Sequence, residues 1–173
     1  MSLFVHLNGR LLQEEEAHIS PFDHGFLYGD GIYETLRTID GRVFDFETHA
    51  IRLRRSAEIL DIPIPWANAE LKEWTQETAD KNRKTQQSSS GVGTCRGVSK
   101  KEMRIRITVT RGKNGFSFLG AKSPTLLIST TGLSDYSEQK EGVSLAAIQM
   151  SRMLPGARSI SLLPRILAKQ ASR

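Results

Sequence analysis

Apolar and polar positions alternate most strictly over Met103-Arg104-Ile105-Arg106-Ile107-Thr108-Val109-Thr110-Arg111. That period of two predicts a β-strand with Ile105, Ile107 and Val109 toward a core. Arg104, Arg106, Thr108 and Thr110 then face outward or toward a partner. Leu3-Phe4-Val5-His6-Leu7 reads as a strand, Asn8-Gly9 as its hairpin turn and Arg10-Leu11-Leu12 as the return. Asp40-Gly41 closes a second hairpin between residues 32–39 and 42–46. Residues 125–130 and 143–149 are further apolar strands. The helical period appears next: Phe46, Ala50, Leu53, Ala57 and Leu60 make one apolar stripe, stopped by Pro63 and Pro65. Asn68 is suited to cap a second helix over 69–81, with Leu71 and Trp74 on its apolar side. Residues 160–169 have helical character through Leu163, Ile166 and Leu167, with Pro164 in the first turn.

Two close hairpins followed by helices predict an α+β fold, a small antiparallel sheet with two helices. The expected first domain is 1–131, followed by a linker over 132–140 and the start of a second domain over 141–173. Residues 82–101 turn polar and basic, with Gln86-Gln87-Ser88-Ser89-Ser90-Gly91 at their centre, and read as a flexible insertion. Glu14-Glu15-Glu16 reads as a solvated face.

Composition narrows the class. The chain has 173 residues, a net charge of +5 and a single cysteine. Its length allows a real core. The charge favours anionic ligands, but no basic run alternates with aromatics, which argues against a nucleic-acid partner. One cysteine excludes an internal disulfide, and a reducing cytoplasm is the simplest home. Cys95 has no neighbouring His or Cys pattern, so no metal is expected. No apolar run approaches the roughly 20 residues that span a bilayer, and no signal peptide is expected, so no membrane partner is expected either.

The candidate chemistry begins at His24-Gly25-Phe26-Leu27-Tyr28-Gly29-Asp30-Gly31-Ile32-Tyr33-Glu34-Thr35-Leu36-Arg37. Its glycines predict a loop with close backbone approaches, leading into a strand. Tyr33, Thr35 and Arg37 share one face, and Ile32, Glu34, Leu36 and Thr38 the other. A phenol, a hydroxyl and a guanidinium in register suit either a ligand-binding face or a solvated one.

The run Tyr28-Gly29-Asp30-Gly31-Ile32-Tyr33-Glu34-Thr35 and the later run Ser159-Ile160-Ser161-Leu162-Leu163-Pro164-Arg165-Ile166-Leu167-Ala168-Lys169-Gln170 resemble the class IV (fold type IV) pyridoxal-phosphate enzymes. That family includes branched-chain and D-amino acid aminotransferases and aminodeoxychorismate lyase. The resemblance implies pyridoxal 5′-phosphate as cofactor, an amino acid or keto acid as partner, and a homodimer. It implies that Arg52 contacts the cofactor phosphate and that Tyr28, Tyr33, Thr35 and Arg37 bind substrate; Glu34 matches a common family residue, but its alternating side points to structural work. It also places Arg158 where the family carries its cofactor-bearing lysine. Lysine can lose a proton and attack an aldehyde, whereas arginine holds its charge far above neutrality. Lys169 lies 11 residues on, roughly 16 Å along a helix, too far to substitute. Ser161 departs from the Asn of many relatives. Family members continue beyond residue 173, so residues 141–173 are expected to be an incomplete start of the cofactor-binding domain. The implied function is that of a transaminase-family protein for branched-chain or D-amino acids, impaired by Arg158 and truncation. The alternatives are a non-catalytic remnant or dimerisation module, and a lyase resembling aminodeoxychorismate lyase.

Overall fold

The computed structural model describes residues 3–89, 102–118, 123–133, 147 and 154–171, with side chains of 86–89 excepted. Six strands form one antiparallel sheet: β1 (Phe4–Leu7), β2 (Arg10–Gln13), β3 (Gly31–Ile39), β4 (Arg42–Val43), β5 (Met103–Thr110) and β6 (Thr125–Gly132). Their order is β2-β1-β6-β5-β3-β4. The two hairpins turn where expected, because Asn8-Gly9 and Asp40-Gly41 both take positive φ, at 49° and 86° and at 52° and 77°. The fold is α+β with an antiparallel sheet, as the alternation predicts.

Two long helices cover one face. α2 (Phe46–Leu60) packs on β3, and α3 (Asn68–Ser89) packs on β1, β5 and β6. The stripe Phe46, Ala50, Leu53 and Ala57 is buried against Ile32, Leu36, Ile105, Ile107 and Val109, with Leu60 packed at its edge. Fully burying each such Ile or Leu contributes about 1.5–3 kcal/mol. Met103, Ile105, Ile107 and Val109 are buried as the period of two requires, but Thr110 is buried with them. It donates to Asp23 at 2.9 Å.

Three elements differ from expectation. The glycine-punctuated loop contains α1 (His24–Tyr28), a short helix. The Asp23 carboxylate caps it by accepting from Gly25 N–H at 2.8 Å, and Gly29 closes it at φ 66°. Asp23 also accepts from the Thr125 hydroxyl at 2.7 Å. α3 outruns its expected end at residue 81 and takes in the start of the expected insertion over 82–101. Asn82 is fully buried there, donating to the Phe4 carbonyl and the Thr130 hydroxyl and accepting from Phe4 N–H, each at 2.7 Å. Residues 90–101, including Cys95, lie outside the described residues. Asn68 is the first helical residue rather than the cap, since Leu71 N–H donates to the Ala67 carbonyl and Glu70 accepts from Ala67 N–H at 2.7 Å. The Asn68 side chain instead accepts from Arg54 at 2.7 Å. α4 (Leu163–Ala171) starts one residue before Pro164. The expected strand over 143–149 and most of the linker lie outside the described residues.

Candidate active site

The two runs singled out in the sequence meet in space. The segment around Arg158 lies along the start of β3, with an isolated bridge between Ile32 and Ser159. Tyr33 N–H donates to the Arg158 carbonyl at 2.9 Å, and Ile160 N–H to the Gly31 carbonyl at 3.0 Å. Gly31 is required by this approach: a Cβ there would sit 2.8 Å from the Val109 carbonyl oxygen and 2.9 Å from Ile160 Cδ1. From α2, the Ser56 hydroxyl donates to the Arg52 carbonyl at 2.9 Å and accepts from Arg158 N–H at 3.1 Å. Both backbone polar groups of Arg158 are therefore fixed.

Glu34 is the centre of the cluster. It is 0% exposed and projects from β3 toward α2. Its carboxylate accepts from Arg52 Nη2 at 2.7 Å and Nε at 3.2 Å, a bidentate pairing. His49 Nδ1 lies 2.7 Å from it, and Arg158 Nε 3.3 Å. The hydrogen bond to Glu34 raises the Arg52 guanidinium above its ordinary pKa, so it stays charged at any physiological pH. His49, Arg52 and Ser56 are spaced by three and four along α2, which sets them on one helical face. That spacing was the available signal for His49 and Ser56, neither of which the sequence reading picked out.

Beside this cluster is a cavity of about 210 Å³ lined by Tyr33, Arg52, Arg55, Ser56, Pro155–Arg158 and Arg165. Of the residues expected from sequence, Tyr33, Arg52 and Arg158 come together here. Tyr33 is buried, with the Arg106 guanidinium 4.1 Å over its ring. Tyr28 stands outside the lining, at the end of α1, edge-on to His24 at 5.1 Å and tilted against Phe118. Its neighbour Gly29 packs beside Ser161. Thr35 and Arg37 lie further along β3, opposite Arg106 and Arg104. Arg37 is exposed, and its Nε donates to the Thr38 carbonyl at 3.4 Å. Lys169 is exposed on α4 and does not line the cavity. Arg54 donates to the Trp66 carbonyl at 2.7 Å and ties the 61–68 loop to α2.

The arrangement can bind an anion: guanidinium groups line it, and a buried carboxylate orients two of them. Among the described residues, its lining has no amine to attack an aldehyde. Among the described residues, no helix is long and apolar enough to cross a membrane.

Comparison with known proteins identifies the family. The family model for amino-transferase class IV matches residues 31–173. The aminodeoxychorismate lyase of Bacillus subtilis is 33% identical over 146 residues, 82% of this chain and 45% of that protein. The D-alanine aminotransferase of Bacillus licheniformis is 28% identical over 98% of this chain and 56% of that protein. Among solved structures, the branched-chain aminotransferase of Thermoproteus uzoniensis with norvaline aligns at a TM-score of 0.75 and 26% identity, over 99% of this chain and 56% of that one. The chain spans about half the length of the curated relatives it matches. With a family model covering most of its length, the chain belongs to the class IV aminotransferases.

Proposed function

We propose that this chain carries the anion-binding side of a pyridoxal-phosphate site in a transaminase-family protein acting on branched-chain or D-amino acids. Arg52 holds the cofactor phosphate in this reading. The observation that carries it is Arg52 itself, clamped by the fully buried Glu34 and facing the cavity. The residues fit the phosphate end of the cofactor and not its aldehyde end. Arg158 stands where the family carries its lysine, and a guanidinium cannot bond covalently to an aldehyde at neutral pH. The chain therefore holds the cofactor without a covalent anchor. Tyr33 bounds the substrate side of the cavity, with Tyr28, Thr35 and Arg37 as its outer contacts. The small-molecule partner is an amino acid or 2-oxo acid.

A second reading, a non-catalytic module that keeps the assembly surface, is favoured by the same Arg158. The proposed assembly is a cytoplasmic homodimer. It is supported by Leu163 and Ile166, which are 61% and 53% exposed on α4. A monomeric mass in light scattering at high protein concentration would sink the dimer.

The test is Arg158→Lys. The variant should take up pyridoxal phosphate with a new visible absorption band and a borohydride-fixed adduct at residue 158. Absence of an adduct in a folded Arg158→Lys protein would overturn the placement of Arg158.

A further inference from the structure

Four guanidinium groups converge on the cavity. Arg52 and Arg55 come from α2, Arg158 from the segment docked on β3, and Arg165 from α4. Among the described residues, the lining holds no Asp, Glu or Lys. Glu34 meets Arg52 and Arg158, and one carboxylate leaves most of this positive charge unbalanced. Arg52 turns Nε and Nη2 to Glu34, and Arg158 turns Nε alone. Among the described residues, no contact engages Arg52 Nη1 or the two terminal nitrogens of Arg158, which are offered to a ligand. The Arg158 backbone is fixed by Ser56 on one side and Tyr33 on the other, and its Nε lies 3.3 Å from Glu34, which together restrict the guanidinium before any ligand arrives. Arg55 and Arg165 are exposed and reach the same space without the cost of burial.

Each guanidinium fork pairs with two oxygens of a phosphate, and a phosphate offers three terminal oxygens and close to two charges at neutral pH. A carboxylate offers one charge and two oxygens and leaves more of the set unmatched. We propose that Arg158, with Arg52, Arg55 and Arg165, makes this cavity a non-covalent receptor for a dianionic phosphate group, free or as a monoester, in which an aldehyde contributes nothing to affinity. Arg158 is then an anion ligand in its own right rather than a silent replacement. The inference rests on the reading that Arg52 holds a phosphate, and adds that the phosphate group alone suffices for binding and that Arg158, Arg55 and Arg165 share in holding it.

The test is calorimetric titration of the full chain with pyridoxal 5′-phosphate, pyridoxine 5′-phosphate (a hydroxymethyl group in place of the aldehyde), pyridoxine and inorganic phosphate. The two phosphate esters should bind within threefold of each other, and pyridoxine at least tenfold more weakly. Inorganic phosphate matching the esters identifies free phosphate as a sufficient ligand, and esters binding more tightly identify the monoester; both support the receptor. Arg158→Ala and Arg165→Ala should each weaken the esters at least fivefold. Arg165 is exposed, so its variant keeps the fold even if Arg158→Ala does not. Aldehyde-form binding more than tenfold tighter than hydroxymethyl-form binding would overturn the proposal, as would wild-type affinity in the folded Arg165→Ala variant. If wild type binds no phosphate but Arg158→Lys binds pyridoxal phosphate, this inference fails and the family reading of the site stands. If neither binds, both fail.

Discussion

Glu34→Gln is the perturbation that reaches furthest into the site. Glu34 is fully buried, while the Arg52 and Arg158 side chains are 42% and 40% exposed. A close pair at an effective dielectric near 20 is worth about 4 kcal/mol, and exposure of the cationic partners removes roughly half of that. The glutamine amide adds a second cost. Whichever oxygen it replaces, its NH2 group faces an Arg52 nitrogen, Nη2 at 2.7 Å or Nε at 3.2 Å, so a donor meets a donor. A buried group left so mismatched costs about 1–3 kcal/mol. The expected loss is therefore about 3–5 kcal/mol, or on the order of 10 °C in Tm for a chain of this size. Urea unfolding followed by tryptophan fluorescence reads it directly, because Trp66 and Trp74 both pack against the core. A Glu34→Gln protein within about 0.5 kcal/mol of wild type would refute the assignment of Glu34 as the organising charge.

Other substitutions test the surrounding structure. Gly31→Ala should cost about 1–3 kcal/mol, because its Cβ collides with the Val109 carbonyl and displaces Ile160; the urea midpoint reads it. Asp23→Ala removes the α1 cap and the bonds from Thr110 and Thr125, with an expected loss of about 2–4 kcal/mol in the same assay. His6 is buried and stacked on Trp74 at 4.7 Å, and burial lowers its pKa to about 4. The unfolded chain takes up the proton first, so stability is full above about pH 6.5 and falls as pH drops toward about 4, by about 2 kcal/mol at pH 5. His6→Phe keeps the ring stacking and should flatten the stability profile across that window; an unchanged slope in the variant would exclude His6 as its source.

Local grammar made much of this fold legible. Asn-Gly and Asp-Gly at the two hairpins can hardly do anything else, and both take positive φ. The stripe from Phe46 to Leu60 has one amphipathic solution, and α2 follows it. α1 was hidden because it is only five residues long and carries Gly25, which lowers helix propensity; the Asp23 cap and the Gly29 closure hold it. The long-range polar ties left no local trace. Asn82 reaches Phe4 across 78 residues, and Asp23 reaches Thr125 across 102. Nothing in a hydrophobic period marks such partners. At the site, alternation assigned Glu34 to the covered face and so to structural work. That placement also carries its chemistry, because the covered face is where α2 brings His49 and Arg52. Arg55 and Arg165 carry no local mark of a shared role, because only the packing of α2 and α4 brings them to one cavity.

The most direct measurement is a reduction map of the wild-type chain. The protein is incubated with pyridoxal phosphate, reduced with borohydride, and its peptides are read by mass spectrometry. With Arg158 in the cavity, no lysine should carry a stoichiometric adduct, while titration still detects phosphate-dependent binding. A single stoichiometric adduct on one lysine, Lys169 for example, would contradict this: the cofactor anchor would lie elsewhere, and covalent chemistry would be open to this chain.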